Sequence, residues 1–569
     1  MFRLFRVILI CCFFVATSTS VARTTIVVSS QTEFDGLQEQ LINTIKSGEK
    51  VIYVKLLPGT YIAKEKHITL KDIDAADTKI RFVGHGATLI PEGHEYHDGD
   101  NYQDTFSVGS SWMSGNKDVE TWSYVKYADS LIEVLNAEEK LCRLKCNNAF
   151  PSDIDFNNAY ILITHWYQSS TYKIEKIEGQ YIYFIANDLK ESSYGGYNVN
   201  DDYNYGNKTI RYKLCNIENG EDYFRITDGK VHLPNGVTSV WEGKMYNYLT
   251  FQNCKFAVVE VNGIQFRGNS FAESHPAISI RNTACKKIRI HKCGFYGMRG
   301  SIINVSASPN VKIDNNQFAD TYYYGIWSNN GSANTVVEKN SFKSMGKRMH
   351  NTKCVGCLGT NYRVSDNIFL DFGYCGIRTG VWYKSDMKQP CTGVIENNDL
   401  SYSQDYLDHI ENYGIMDGGA IYLATKNAGS IVRNNYIHDF SGIKHNRGIF
   451  CDDGASNIEI YGNVITDIAN SMCIDSRRVT FVERSHTPES GIERANINIV
   501  IRDNTVDGSI RFEAHEDSDN GCIKGANYIL TAEDGKMPKM VISNVANPEE
   551  DIVLKSSETK FKHKHRYLK

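Results

Sequence analysis

The sequence predicts an all-β fold: a right-handed parallel β-helix with a small antiparallel β subdomain inserted near its N-terminus. The first observation is a repeat, in which an Asn-x-apolar motif closes a short alternating run every 23 to 41 residues. The second is that no run in this repeat has the length and period of an amphipathic helix. The third is composition, because 34 Tyr and 25 Phe against 10 Pro favour strands.

One asparagine in each coil marks the repeat. The repeating residues are Asn269, Asn316, Asn340, Asn367, Asn398, Asn435, Asn463 and Asn504, and Cys293 fills the one gap. Stacked Asn side chains can hydrogen-bond to the coils above and below, which explains one Asn per coil at a bend. The coils after Asn367 are longer than those before it. Because extra residues in a solenoid form loops on its outside, we expect the functional site along the later coils.

The first 22 residues have the pattern of a secretory signal peptide. Arg3 and Arg6 precede the apolar run 7–15, and small residues follow up to Ala22. The apolar run is too short to cross a membrane as a helix, and no other stretch of the sequence is a candidate span. We therefore expect a secreted or periplasmic protein with a cleaved signal peptide.

Periodicity divides the rest of the chain into four parts. Residues 23–109 form a cap and the first coils, with an amphipathic helix at 34–45 that covers an open end of the solenoid. Residues 110–245 lose the repeat and are typical of an antiparallel β insertion. Residues 246–530 form the β-helix that carries the site, and residues 531–569 form a loosely attached basic tail.

Charge and cysteine usage narrow the function classes. The net charge of −5 gives no reason to expect a nucleic-acid partner. Cys354 and Cys357 form one C-x-x-C pair with no second pair at metal-site spacing, so a zinc site is not expected. Cys451 and Cys473 fall at inward-facing positions of their runs, and we interpret them as buried free thiols.

A second strand in each coil can be aligned on an inward-pointing isoleucine. The aligned residues are Ile278, Ile302, Ile326, Ile377, Ile421, Ile449, Ile474 and Ile510. Because side chains alternate along a strand, the first and third residues after each Ile point outwards. The first outward row contains Trp327, Arg378, Tyr422, Phe450, Asp475 and Arg511, and the second contains Asn329, Asp452, Arg477 and Glu513. Aromatic residues in a water-facing row favour a binding surface over an ordinary solvated face.

Two acids of these rows are candidates for catalysis. Asp452 and Asp475 lie on neighbouring coils one strand step apart, a relation that puts Cβ atoms about 7–8 Å apart. Glycosidases use carboxyl groups about 5–5.5 Å apart for retention and about 6.5–9.5 Å apart for inversion of configuration. We expect Asp452 to act as nucleophile or general base and Asp475 as general acid. Phe450 and Tyr422 would form a platform for sugar rings.

Further polar residues surround this pair. Asp417 lies one coil before Asp452. Asp453 lies at a strand end, where a bond from its side chain to the backbone of the turn is an alternative to a role in catalysis. A long loop over the acids is expected to carry three more residues: His438, His445 and Arg447. The arginines of the two rows predict a uronic or sulfated substrate: Arg378, Arg477 and Arg511.

Three segments between about residues 415 and 480 resemble known families: DGGAIY at 417–422, RNNYIH at 433–438 and GIFCDDG at 448–454. Together they are similar to glycoside hydrolase family 141, parallel β-helices that include an α-L-fucosidase and xylan-active enzymes. This resemblance implies acids at Asp417 and at Asp452 or Asp453. Glycoside hydrolase family 120, a β-xylosidase family on the same fold, is also similar and implies Asp452 as nucleophile and Asp475 as acid/base. The chain departs from that family at Asp475, where the family has Glu.

Two alternatives to a glycoside hydrolase stay open. A polysaccharide lyase on the same fold would act on a uronic acid with an Arg, Lys or His base. Such lyases often use calcium to neutralise the carboxylate of the substrate, and three acids could hold the ion: Asp452, Asp453 and Asp417. A non-catalytic carbohydrate-binding solenoid is the other alternative, and long loops around clustered acids speak against it. In all three cases the partner is a polysaccharide or oligosaccharide, and the hydrolase itself requires no cofactor.

Overall fold

The computed structural model describes residues 23–512 with gaps, together with residues 523–524, 528–531 and 552–555. The gaps are residues 65–66, 104–110, 116, 119–125, 128–131, 137, 147, 151–155, 166–167, 187–210, 217–223, 244–246, 269–275, 329–330, 347–351, 358, 381–390, 407–417, 425–428, 441–446, 453–454, 469–471 and 477–496.

Three parallel sheets wind around a common core and form the predicted parallel β-helix. They are numbered 1 to 3 in the order in which a coil passes through them. Within the described residues sheet 1 has 11 strands, and sheets 2 and 3 have 13 strands each. Strands pair in parallel with their counterparts one coil away, so each sheet runs along the helix axis.

Sheet 1 consists of Ile68–Lys71, Leu249–Gln252, Ile278–Arg281, Ile303–Ser306, Ile326–Ser328, Lys353–Cys357, Cys375–Thr379, Gly419–Leu423, Arg447–Cys451, Met472–Ser476 and Ser509–Phe512. Sheet 2 consists of Arg23–Val28, Val51–Leu56, Asp74–Val83, Lys255–Asn262, Ile288–His291, Val311–Asp314, Val336–Glu338, Tyr362–Ser365, Gly393–Glu396, Ser430–Arg433, Ser456–Tyr461, Ile497–Arg502 and Ile523–Lys524. Sheet 3 consists of Gly59–Ala63, Ala87–Pro91, Gln265–Arg267, Gly294–Tyr296, Gln317–Thr321, Ser341–Met345, Ile368–Phe372, Asp399–Ser401, Tyr436–His438, Val464–Ile465, Thr505–Val506, Tyr528–Thr531 and Ile552–Lys555.

The asparagine repeat forms the predicted ladder at the bend between sheets 2 and 3. Asn340 shows the pattern: its Nδ2 donates to Ile313 O at 2.9 Å and to Asn367 Oδ1 at 3.0 Å, and its backbone N–H donates to the same Oδ1 at 2.9 Å. Because these amides are buried and bonded to the next coil, the ladder fixes how the coils align. Asn269 lies outside the described residues. The ladder runs through Asn316, Asn340, Asn367, Asn398, Asn435, Asn463 and Asn504.

A residue in the left-handed region precedes each ladder asparagine and makes the bend. The φ angle is 56° at Asn315, 57° at Asp366 and 65° at Gly462, for example. Asn, Asp and Gly adopt this conformation at low cost, which explains their frequency at this position. The complete set is Asn315, Lys339, Asp366, Asn397, Asn434, Gly462 and Asp503.

The core inside the three sheets is a continuous stack of apolar side chains. On the inner face of sheet 3, five phenylalanines stack with centroids 4.6–4.9 Å apart and nearly parallel rings: Phe266, Phe295, Phe318, Phe342 and Phe369. Stacked rings in neighbouring coils stabilise the same register as the ladder. Cys451 and Cys473 are buried free thiols, as predicted, and burial raises the pKa of Cys473 well above its ordinary value.

Two short helices, Gln31–Asp35 and Leu37–Lys46, cover the N-terminal end of the core. The sequence predicts one helix at 34–45, whereas the chain bends at Gly36 between the two. Gln31 exchanges hydrogen bonds with the backbone of Ile62, at the end of sheet 3. Gln38 does the same with Thr69 in the first strand of sheet 1. The helices therefore satisfy strand edges that would otherwise be open to pairing with another chain.

The predicted antiparallel insertion lies between the first coils and the rest of the β-helix. It has its own apolar cluster, separate from the core of the β-helix. Its seven-stranded sheet contains Lys126–Tyr127, Arg211–Cys215, Tyr160–His165, Gln168–Glu178, Tyr181–Ile185, Leu141–Lys145 and Glu133–Asn136. Two smaller sheets contain Gly93–Tyr96, Val240–Gly243, Ser111–Ser114 and Lys117–Asp118, and Arg225–Thr227 with Lys230–His232.

Two details of sheet 1 differ from the predicted alignment. Ile278 pairs with Ile303 and not with Ile302, because two adjacent isoleucines leave the alternation ambiguous. Val355 occupies the coil between Ile326 and Ile377, a coil that an alignment on isoleucine alone omits.

The C-terminal part of sheet 3 extends beyond the predicted end of the β-helix. Ile552–Lys555 pairs in parallel with Tyr528–Thr531, although it lies in the segment that the sequence assigns to a tail. In the described part of the chain, no helix has both the length and the apolar character needed to span a bilayer.

Candidate active site

The outward row of sheet 1 has the order that the sequence predicts. Neighbouring strands pair Arg378 with Tyr422, Tyr422 with Phe450, and Phe450 with Asp475. Arg511 follows Asp475 on the next coil. At the other end Gly356 lies between Trp327 and Arg378, in the coil that the alignment omits.

The expectation that this whole row faces water is wrong. Tyr422 is 2% exposed, and both Phe450 and Asp475 are 0% exposed. Trp327, Arg378 and Arg511 are partly exposed. Strand alternation correctly predicts the side of the sheet on which these residues lie, but other parts of the chain pack against that side. Tyr422 and Phe450 therefore do not form an open platform for sugar rings.

Asp475 is the centre of a buried ion-pair cluster. Arg447 Nε donates to its Oδ2 at 2.5 Å. Arg511 donates from Nε to Oδ1 at 2.7 Å and from Nη2 to Oδ2 at 2.6 Å. The side chain of Arg447 is also almost buried, whereas that of Arg511 is 36% exposed. Both oxygens of the carboxylate thus accept bonds from guanidinium groups, which makes this a strong, geometrically defined contact.

Asp452 has different surroundings. It follows the strand Arg447–Cys451 directly and is 4% exposed. The hydroxyl of Tyr422 donates a short hydrogen bond to its Oδ2. Its backbone N–H donates to Leu423 O at 2.8 Å, and its carbonyl accepts from Ala455 N at 3.0 Å. The side chain is therefore held at a fixed place beside Tyr422, one coil from Asp475.

The sequence predicts that Arg447 lies on a loop over the acids. In the structure Arg447 instead begins a strand of sheet 1. Its guanidinium carbon lies 4.0 Å from the centroid of the Phe450 ring. The long connection before it ends at residue 446, so Arg447 already has the strand conformation. Its contact with Asp475 links two adjacent coils.

His438 is also not on a loop over the acids. It ends the strand Tyr436–His438 of sheet 3, on a different face of the β-helix. Its ring bonds to Asp399 at 3.0 Å and to Asp439 at 2.6 Å, and it stacks on Tyr436 with centroids 4.0 Å apart. Burial opposes protonation, but the bonds to the two carboxylates outweigh it and raise the pKa of His438 to about 9. We assign this histidine a structural role in sheet 3.

The structure adds two residues that were not predicted from the sequence: Lys353 and Tyr324. Lys353 is 2% exposed and begins the strand of the omitted coil. Its Nζ lies 4.9 Å from the Tyr324 ring centroid and 5.6 Å from that of Tyr374. Tyr324 in turn stacks on Trp327 with centroids 5.0 Å apart. Alternation from Val355 places Lys353 on the inner side of the strand, so its position near these rings could not be predicted from the sequence.

Several predicted residues lie outside the described part of the chain. They are Asp417, Asp453, Asn329, Arg477, Glu513 and His445. Their roles stay predictions, as do the catalytic roles of Asp452 and Asp475. Of the three acids considered for calcium, only Asp452 is described. No group of three or more His, Cys, Asp or Glu side chains in the described ranges has a geometry that could hold a metal ion.

Comparisons with known proteins agree with the fold. A family model described as "Right handed beta helix region" matches residues 235–380 and supports the predicted handedness. A solved structure described as "Glycoside hydrolase" is 9% identical with a TM-score of 0.52, and the match covers 96% of this chain and 100% of that chain. Another, "The complex structure of XylC with xylose", is 11% identical with a TM-score of 0.41 and coverage of 94% and 86%. No curated protein sequence matches the chain. The family model and the first of these structures, at 9% identity, show the fold alone: a right-handed parallel β-helix.

Proposed function

We propose that the protein is a secreted glycoside hydrolase that cleaves a glycosidic bond in a polysaccharide or a derived oligosaccharide. The observation that carries the proposal is the placement of Asp452. It is a nearly enclosed carboxylate at the edge of the outward row, held by Tyr422 and next to a second acid one coil away. The same fold occurs in a protein described as a glycoside hydrolase, so this scaffold is compatible with the activity.

In this proposal Asp452 attacks the anomeric carbon or removes a proton from the attacking water. Both roles need a charged carboxylate in a fixed position with limited access for bulk water. The hydroxyl of Tyr422 donates a hydrogen bond that orients one of its oxygens. Removing that hydroxyl would leave the carboxylate less well oriented.

Asp475 as the general acid stays a prediction. A general acid must deliver a proton to the leaving oxygen, which requires contact with the substrate. Asp475 is fully buried and accepts three hydrogen bonds from Arg447 and Arg511, so these bonds would have to rearrange during the reaction. Asp453 or Asp417 would otherwise supply the proton, and Asp475 would position the two arginines.

A lyase would use the same surface differently. It would remove the proton at C5 of a uronic acid, and arginine is charged in proteins and must lose a proton to act as a base. Arg447 and Arg511 both use guanidinium N–H groups to hold Asp475. This contact favours hydrolysis over elimination by either arginine.

Incubation of the purified protein with a panel of plant and algal polysaccharides tests the proposal. Hydrolysis adds one water per cleaved bond, and mass spectrometry of the products would show this increase. Elimination adds no water and leaves a C4=C5 double bond that absorbs in the ultraviolet. Unsaturated products would show that the protein is a lyase and not a hydrolase. Binding without products would indicate a non-catalytic solenoid.

A further inference from the structure

Arg378 lies on the outward row of sheet 1 but has no part in the proposed bond cleavage. Its strand pairs regularly with the strands of Gly356 and Tyr422 on either side. The guanidinium carbon is 5.6 Å from the centroid of the Tyr422 ring. The side chain is partly exposed, and its Nε is buried without a hydrogen-bond partner among the described residues. A buried donor without an acceptor is costly unless a ligand supplies one.

Neighbouring arginines differ from Arg378 in having carboxylate partners. Arg447 and Arg511 both hold Asp475. On the outer face of sheet 2, Arg363 bonds to Glu396 at 2.9 Å. Arg378 makes no ion pair with any described residue, so its positive charge is uncompensated in that part of the molecule. The row therefore presents one guanidinium that has no carboxylate partner among the described residues and lies near the Tyr422 ring.

Aromatic side chains border Arg378 on both sides. The ring of Trp327 lies across Gly356, where an added Cβ would meet the ring's Cε3 at 2.3 Å. Glycine is required there because any side chain would displace the tryptophan. Arg378 thus lies between the Trp327 ring and the Tyr422 ring. Apolar neighbours reduce competition by water and strengthen the attraction between a guanidinium and an anion.

We propose that Arg378 binds the carboxylate or sulfate group of an anionic sugar unit, with the partly exposed Trp327 as the apolar neighbour of that unit and the buried Tyr422 ring beside the guanidinium. The guanidinium offers parallel N–H donors that match two oxygens of either group. The inference rests on the proposed function, because it names the class of substrate for the same site. It also narrows the expectation from sequence: Arg378, and not the ion-paired Arg511, recognises the anion.

The position of Arg378 also determines where the anionic unit lies. Two coils separate Arg378 from Phe450, which is close in sequence to Asp452. This corresponds to about 10 Å along the axis, at about 4.8 Å per coil. The charged unit therefore occupies a subsite beside the cleaved bond and not at it. A change at Arg378 should weaken substrate binding more than it lowers kcat.

Calorimetric binding to matched ligands tests the proposal independently of turnover. The first pair is an oligogalacturonate and its fully methyl-esterified form. The second is a sulfated galactan oligosaccharide and its desulfated form. We expect the wild-type protein to bind one acidic ligand about 10- to 100-fold more tightly than its neutral counterpart. Added salt should reduce this preference. The ligand pair for which the preference is observed shows whether the bound group is a carboxylate or a sulfate.

Arg378→Gln should abolish the preference and leave binding of the neutral ligand in place. Arg363→Gln, on sheet 2, is the matched control and should keep the preference. Thermal unfolding of each variant shows whether it folds. A further variant, Arg378→Lys, keeps the charge but loses the parallel donors, so it should retain part of the preference.

Two results would overturn the proposal: equal binding of acidic and neutral ligands by the wild type, or an unchanged preference in folded Arg378→Gln. If the wild type preferred the acidic ligand but cleaved no glycan, the proposed hydrolase activity would be refuted and the proposed anion subsite would still be supported.

Discussion

At the scale of single residues, the site contains two buried carboxylates with different partners. Asp452 accepts a bond from the neutral hydroxyl of Tyr422, whereas Asp475 is enclosed by Arg447 and Arg511. A carboxylate that satisfies two guanidinium groups stabilises the structure, and one beside a hydroxyl is better placed to react. The sequence presents both as equivalent acids on neighbouring coils, because alternation along a strand contains no information on long-range partners.

Replacement of Asp475 distinguishes its structural role from a catalytic one. Asp475→Asn removes the buried negative charge that Arg447 and Arg511 both contact, so we expect the free energy of unfolding to fall by about 3–5 kcal/mol. Urea denaturation measures this change. If Asp475 were a general acid without a structural role, Asp475→Asn would be as stable as the wild type but would turn over slowly. Its turnover would recover on substrates with good leaving groups.

His438 predicts a pH dependence of stability. Its folded pKa of about 9 lies above the ordinary value of 6.5, so protonation favours the folded state. This contribution is complete below about pH 6.5 and is lost as pH rises through 9. We expect a loss of about 2–3 kcal/mol over this window. His438→Gln should lack it, measured by urea denaturation at pH 6 and pH 9.5, and identical pH profiles for both proteins would refute the assignment.

At the scale of elements, the regular features could be predicted from sequence. The spacing of the asparagines predicts the ladder because a buried amide at the same bend of successive coils can bond to the coils on both sides. Alignment on isoleucine predicts the outward row, since alternation links an inward residue to the next outward one. It fails at Ile302 because Ile303 is adjacent, and at the coil of Val355 because the sheet 1 strand of that coil has no isoleucine.

The ladder itself can be tested by one substitution. Asn367 makes bonds to Val337 O and Asn398 and accepts two from Asn340, all of them buried. Asn367→Ala should lower the free energy of unfolding by about 2–4 kcal/mol, because buried backbone groups of neighbouring coils lose their partners. Asn282→Gly is the control: its side chain is exposed, and glycine accepts its φ of 50°. If both variants were equally stable, the ladder would not determine the register.

At the scale of the whole molecule, the β-helix aligns residues from distant parts of the sequence into one strip. Trp327 and Arg511 belong to the same row although 184 positions separate them. The periodicity predicts this arrangement. It does not predict the burial of Tyr422 and Asp475 or the strand position of His438, because these depend on contacts between residues that are distant in the sequence.

The central claim is that Asp452 takes part in breaking a glycosidic bond. The most direct measurement is kcat of the wild type, Asp452→Asn and Asp366→Asn on one glycan that the wild type cleaves. Asp366 is a matched control, since it is partly exposed at the bend after sheet 2 and its φ of 57° suits asparagine equally well. We predict that Asp452→Asn lowers kcat by about 10²- to 10⁴-fold with little change in stability, and that Asp366→Asn changes neither. Near-normal turnover in a folded Asp452→Asn variant would contradict the claim.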